Sequence, residues 1–138
     1  MGSQLFDGPA RLIERIEQTF GRDIDAWLEC FSPPYAFVTP EATLVAMNEA
    51  EARHRFRPGF ESLQVAGFGS SVADHVSTRY LGADMALVDA IFTRRHRNGS
   101  QMGTMAALYV CRRHDERWRI AAVIQHPPEH QALPALRS

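Results

Sequence analysis

Apolar, β-favouring residues run through three segments near the end of the chain, Met85–Thr93, Met102–Arg112 and Trp118–His126, joined by Arg97-Asn98-Gly99-Ser100 and His114-Asp115-Glu116-Arg117. Asn-Gly favours the tight turns whose twist matches that of paired strands, so these runs predict an antiparallel meander. The front of the chain has a different period. Leu12, Ile13, Ile16 and Phe20 fall on one face of a helix predicted over Pro9–Phe20. Pro9 suits its first turn and Gly21 its left-handed stop. A second helix is predicted from Asp23, with Ile24, Trp27, Leu28 and Phe31 at helical spacing and Pro33-Pro34 as its end.

Tyr35–Thr39 reads as a short strand that turns at Pro40-Glu41 and returns as Thr43–Met47. Asn48 followed by Glu51 has the capping-box spacing of a third helix, and Pro58-Gly59 predicts its stop. Ser62–Val72 and His75–Leu81 then read as strands, with Gly67 and Gly69 marking a bulge or sharp bend. Helices first and antiparallel strands after them predict an α+β fold. A curved, mostly antiparallel sheet would wrap around the N-terminal helices as an α+β cone, leaving a hollow suited to a small ligand.

A chain of 138 residues, 45% hydrophobic and 22% charged, suffices for one domain with a real core. The boundaries read as an N-terminal extension over 1–8, a single domain over 9–128 and a C-terminal tail over 129–138. A formal charge of −1 gives no general attraction to nucleic acid. The basic run Arg94-Arg95-His96-Arg97 reads as a solvated strand end leading into a turn. Cys30 and Cys111 each lie in an apolar context and read as buried, reduced thiols. No apolar run reaches the roughly 20 residues that span a bilayer. The first residues lack the basic-then-apolar order of a secretory signal. A soluble, cytoplasmic protein is the expectation.

Trp27-Leu28-Glu29-Cys30-Phe31 after the double helix, the Thr39-Pro40 turn and the capped third helix form one set of markers. Ala86-Leu87-Val88-Asp89, Leu108-Tyr109-Val110-Cys111-Arg112-Arg113 and Trp118-Arg119-Ile120 form a second. Together they resemble the SnoaL-like group of the nuclear transport factor 2-like superfamily, with its cystatin-like cone, from about Arg11 to Pro128. The resemblance implies the fold. It leaves open isomerases, dehydratases, epoxide hydrolases, cyclases and non-catalytic binding or dimerisation modules. Ketosteroid isomerases of the superfamily carry an Asp base just before a proline in the first strand turn and a protonated Asp in a late strand. The matching positions here are Thr39 and the acid-free run Thr104–Val110, so that mechanism is not expected.

Asp89 is the candidate acid–base group, since it interrupts Ala86-Leu87-Val88-Asp89-Ala90-Ile91-Phe92. Strand alternation places it with Leu87, Ile91 and Thr93, and burial would require a partner such as Arg79 or Arg113. His126 ends a run with Trp118, Ile120, Ala122 and Ile124, which would turn it toward the cavity rim as a second candidate. His54 shares a helical face with Met47 and Ala50, and Tyr35 and Tyr109 carry hydroxyls that need partners if enclosed. These five residues form the expected ligand-binding set. The histidines and acids lack the spacing of a metal site, and no cofactor motif is present. Both faces of Met102–Cys111 are apolar, whereas helices can cover only one, so a homodimer through the sheet face is expected. Two functions stay open. One is a protein for a small apolar or carbonyl-containing ligand, with cofactor-free isomerase, hydratase or cyclase chemistry open to it. The other is a non-catalytic dimerisation or interaction module with a filled cavity.

Overall fold

The computed structural model describes residues 8–130 together with Leu133. The predicted N-terminal extension apart from Gly8, and the tail beyond residue 130 apart from Leu133, lie outside the described residues. Among those described are helices α1 (Pro9–Thr19), α2 (Ile24–Leu28) and α3 (Glu49–Val65). The strands are β1 (Phe31–Val38), β2 (Thr43–Ala46), β3 (Phe68–Tyr80), β4 (Met85–His96), β5 (Gln101–His114) and β6 (Arg117–His126). They form one sheet in the order β2-β1-β6-β5-β4-β3. Every neighbouring pair is antiparallel except β1 with β6, where the front of the chain joins the meander in parallel.

In α1, Pro9 occupies the first turn and Leu12, Ile13 and Ile16 are buried together against the sheet. Gly21 follows with φ +76°, and a Cβ there would lie 2.6 Å from the Phe68 ring. Only glycine meets both demands. α2 begins where Asp23 accepts a hydrogen bond from the Ala26 N–H at 3.1 Å, but it ends at Leu28, short of the predicted stop. Phe31 already belongs to β1, and Pro33-Pro34 lie within that strand rather than ending a helix. They are exposed and sit where the β1–β6 ladder is interrupted between Phe31 and Ala36, so their missing N–H groups break no ladder bond there.

The capping prediction for α3 holds, with Asn48 Oδ1 accepting from the Glu51 N–H at 2.8 Å. The predicted stop does not. α3 runs through exposed Pro58 and Gly59 to Val65, so residues 62–65 are helical and not strand. Packing decides this. Ala52, Phe56, Phe60 and Leu63 form its inward stripe, and the Phe60 ring meets Phe20 at 5.5 Å and Trp27 at 5.3 Å. Burying such side chains stabilises by roughly 1.5–3 kcal/mol each, which offsets the roughly 3 kcal/mol cost of a helix-interior proline. β3 is correspondingly one long strand rather than two. Its register shifts between Phe68 and Ser70 and again between Ala73 and His75, where Asp74 accepts a hydrogen bond from the Thr93 hydroxyl.

The inner face of the sheet carries Val88, Ala90 and Phe92 of β4, Ala107, Tyr109 and Cys111 of β5, and Trp118, Ile120 and Val123 of β6. On β6 the alternation changes partway. Ile120 pairs with Cys111 and Ala122 with Val110, which leaves Ala121 as an extra residue. A bulge of one residue exchanges the two faces for everything beyond it. Trp118 and Ile120 therefore point inward before it, and Val123 and Gln125 after it, while Ala122, Ile124 and His126 point outward. His126 does not share the face of Trp118 and Ile120.

Candidate functional site

Between the helices and the inner face lies a cavity of about 320 Å³. Its walls are largely aromatic, with Phe20, Trp27, Phe31, Phe56, Phe60 and Phe92 prominent among them. Neighbouring rings hold one another in tilted or edge-on contacts, such as Trp27 with Phe31 at 4.7 Å and Trp27 with Phe56 at 5.2 Å. Such contacts add to the area each ring buries and fix the walls in place. Among the described residues the polar groups on this lining are few: the Thr39, Ser71 and Tyr109 hydroxyls, the Gln125 amide, the Trp27 indole N–H and the Arg94 guanidinium.

Of the sequence candidates, Tyr109 lines this cavity. Burial pushes its phenol pKa upward, so the hydroxyl stays protonated and able to donate. Thr39 also lines it, although its hydroxyl is engaged in its own turn, accepting from the Ala42 N–H at 3.1 Å. Tyr35 stacks on Phe31 at 4.8 Å and faces a separate hollow of about 200 Å³ with Glu29, Glu49 and Arg119. Its buried hydroxyl has no hydrogen-bond partner among the described residues, and burial again raises its pKa. His54 is exposed. The buried stripe of α3 passes through Ala52 and Phe56, not through Met47 and Ala50, so His54 lies on the opposite side of the helix.

Asp89 and His126 come together, but on the outer face of the sheet and away from the cavity lining. Asp89 is 3% exposed, and its Oδ1 lies 3.4 Å from His126 Nε2 across β5, where the small side chain of Ala106 leaves room. The other ring nitrogen, His126 Nδ1, is 3.0 Å from the Pro127 carbonyl, to which it can only donate. The Leu133 N–H donates to Asp89 Oδ2 at 3.3 Å, so the carboxylate ties the chain beyond β6 to the sheet. Burial with a partner is what the sequence implies for Asp89, and among the described residues His126 is such a partner; Arg113 pairs with Asp84 at 3.0 Å.

Arg94 is the residue that the basic run concealed. Its neighbours in sequence lead into the turn, yet alternation from buried Phe92 turns Arg94 inward, and it lines the cavity. Its Cζ sits 4.6 Å from the Phe20 ring centre. Strand phase was the signal available for finding it, and charge argued the other way. Among the described residues no group of three or more His, Cys, Asp or Glu side chains is placed to hold a metal ion. No helix among them is long and apolar enough to cross a membrane.

The family model for NTF2-like protein (DUF6841) matches residues 10–128. No curated protein matches the chain in sequence. Among solved structures, an NTF2-like protein with a cystatin-like fold from Novosphingobium aromaticivorans superposes with a TM-score of 0.70 at 17% identity, covering 88% of this chain and 80% of that one. A candidate calcium/calmodulin-dependent protein kinase type II association domain from Thiobacillus denitrificans gives 0.68 at 21% identity, covering 88% and 96%. A candidate ketosteroid isomerase from Shewanella frigidimarina gives 0.66 at 13% identity, covering 83% and 91%. At these identities the likeness is one of fold.

Proposed function

This chain is a member of the NTF2-like family DUF6841, and from that fold we propose that its cone cavity binds a small, largely apolar ligand with an oxygen-bearing polar end. The aromatic hollow of about 320 Å³ with a handful of polar groups on its wall carries this proposal. Among the described residues its lining contains no Asp, Glu, His or Lys, and the Asp89–His126 pair lies on the other side of the sheet. General acid–base chemistry needs a proton-exchanging group within hydrogen-bond reach of the substrate. The walls favour binding over such catalysis. Half-buried Leu63 on α3 is part of the wall, so Leu63→Trp would fill the hollow from the helix side. A panel of small apolar ketones and acids, screened by thermal shift and titration calorimetry, should yield binders. Leu63→Trp should weaken them by about tenfold or more, roughly 1.4 kcal/mol, with far-UV circular dichroism unchanged. A panel without a binder, or binding indifferent to Leu63→Trp, would refute the proposal.

A second role in self-association is favoured by the outer face. Leu87 and Ile91 of β4, Leu108 and Val110 of β5 and Ile124 of β6 point outward and are only partly covered. A second copy of the chain, packed sheet to sheet about a two-fold axis, would bury this surface.

A further inference from the structure

We propose that the ligand of the cone cavity is a monocarboxylic acid and that Arg94 is the anchor for its carboxylate, a specification that rests on the cavity being a binding site. Arg94 is out of keeping with its surroundings. On β4 it follows Phe92 inward, with Gly103 as its partner on β5 and Ser71 on β3. Its Nε is enclosed without a hydrogen-bond partner among the described residues, and none of their carboxylates is within ion-pair distance of the guanidinium. Desolvation accordingly works against its charged form. The next residue shows the ordinary alternative. Arg95 is exposed and donates to the Gly99 carbonyl at 3.2 Å.

An enclosed cation without a counter-ion is destabilising, and an anion brought by a ligand would reverse that balance. Stacking on Phe20 at 4.6 Å holds the guanidinium plane in place, which lowers the ordering cost of a planar fork-to-carboxylate pair. The ligand's charge is limited by the same inventory. Among the described residues the wall carries one cation and no other charge, which matches a single negative charge, whereas a dianion such as a phosphate monoester would leave a charge uncompensated among rings. The Tyr109 and Ser71 hydroxyls on the same wall can donate to the second oxygen, or to a further oxygen on the ligand. Trp27, Phe56, Phe92 and Met105 leave an apolar space for the rest of the molecule, so an aryl or branched alkyl acid is the fitting class.

The test compares 4-phenylbutanoate with its neutral amide, 4-phenylbutanamide, by titration calorimetry on the full chain at pH 7.5. The acid should bind roughly 10- to 100-fold more tightly, the range for hydrogen bonds to a charged group. Arg94→Met should remove that preference and leave amide binding within about twofold, while raising the melting temperature by a few degrees, because it replaces a desolvated charge with an apolar chain. Arg94→Lys keeps the charge without the fork and should retain part of the preference. Equal binding of acid and amide by the wild type would overturn the anchor and leave the cavity a binding site. Binding of neither would overturn both. An undiminished preference for the acid in Arg94→Met or Arg94→Lys would also overturn it.

Discussion

Cys30 and Cys111 show what enclosure does to a reactive side chain. Both are fully buried, and desolvation lifts each thiol from 9.0 to about 12. The thiolate is the reactive form, so neither residue should react with a disulfide reagent such as DTNB at pH 8 until the protein unfolds. The same burial fixes a sign for stability. A pKa raised by folding contributes stability that is whole below the unfolded value and is lost as pH climbs toward the folded one. Urea midpoints should therefore fall as pH rises from about 9 to about 12, with Tyr35 and Tyr109 shifted in the same direction. A midpoint that stays level across that interval would contradict it. Single-residue features were legible where one rule decided them. An acid amid Val88, Ala90 and Phe92 had to be paired, and Asp89 is. Arg94 was not legible, because its charge suggested solvent while its strand phase turned it inward.

Among the elements, the caps were readable and the ends were not. Asn48 starts α3 as its chemistry requires, since that signal is local. Pro58-Gly59 fails to end it because the gain from seating Phe60 beside Phe20 and Trp27 comes from residues far away in sequence. The bend in β3 is better marked. A Cβ on Gly69 would lie 2.7 Å from the His96 carbonyl oxygen and 2.9 Å from Arg97 Cα, both backbone atoms that cannot turn aside. Gly69→Ala should cost about 2 kcal/mol. Gly103→Ala is the control, because a Cβ there meets nothing within 4 Å, and its cost should stay within about 0.5 kcal/mol. Urea denaturation of the two variants checks the contrast, and equal losses would show that the close approach at Gly69 is not limiting.

For the molecule as a whole, helices ahead of a closing meander were enough to give the cone, because each layer must cover an apolar face of the other. The parallel contact of β1 with β6 was not foreseeable, since no hairpin links those strands and no turn residue signals their pairing. Two-sided hydrophobicity in β5 led to the expectation of a second subunit. Light scattering at micromolar concentration should give the mass of a homodimer, and Leu108→Glu on the outward face should give a monomer whose cavity still binds its ligand. A wild-type monomer would refute the sheet-to-sheet pairing. Ala121 decides more than a local irregularity in β6. Were it taken into the ladder opposite Val110 instead of bulging, each later residue would slip one place along β5, so that the imidazole at the strand's end would swing into the hollow and the neighbouring amide would leave it. The same side chains would then confront a guest molecule with a titratable group. A slip of one residue, with no exchange of chemical type, is thus enough to separate a passive receptacle from a potential catalyst on this scaffold.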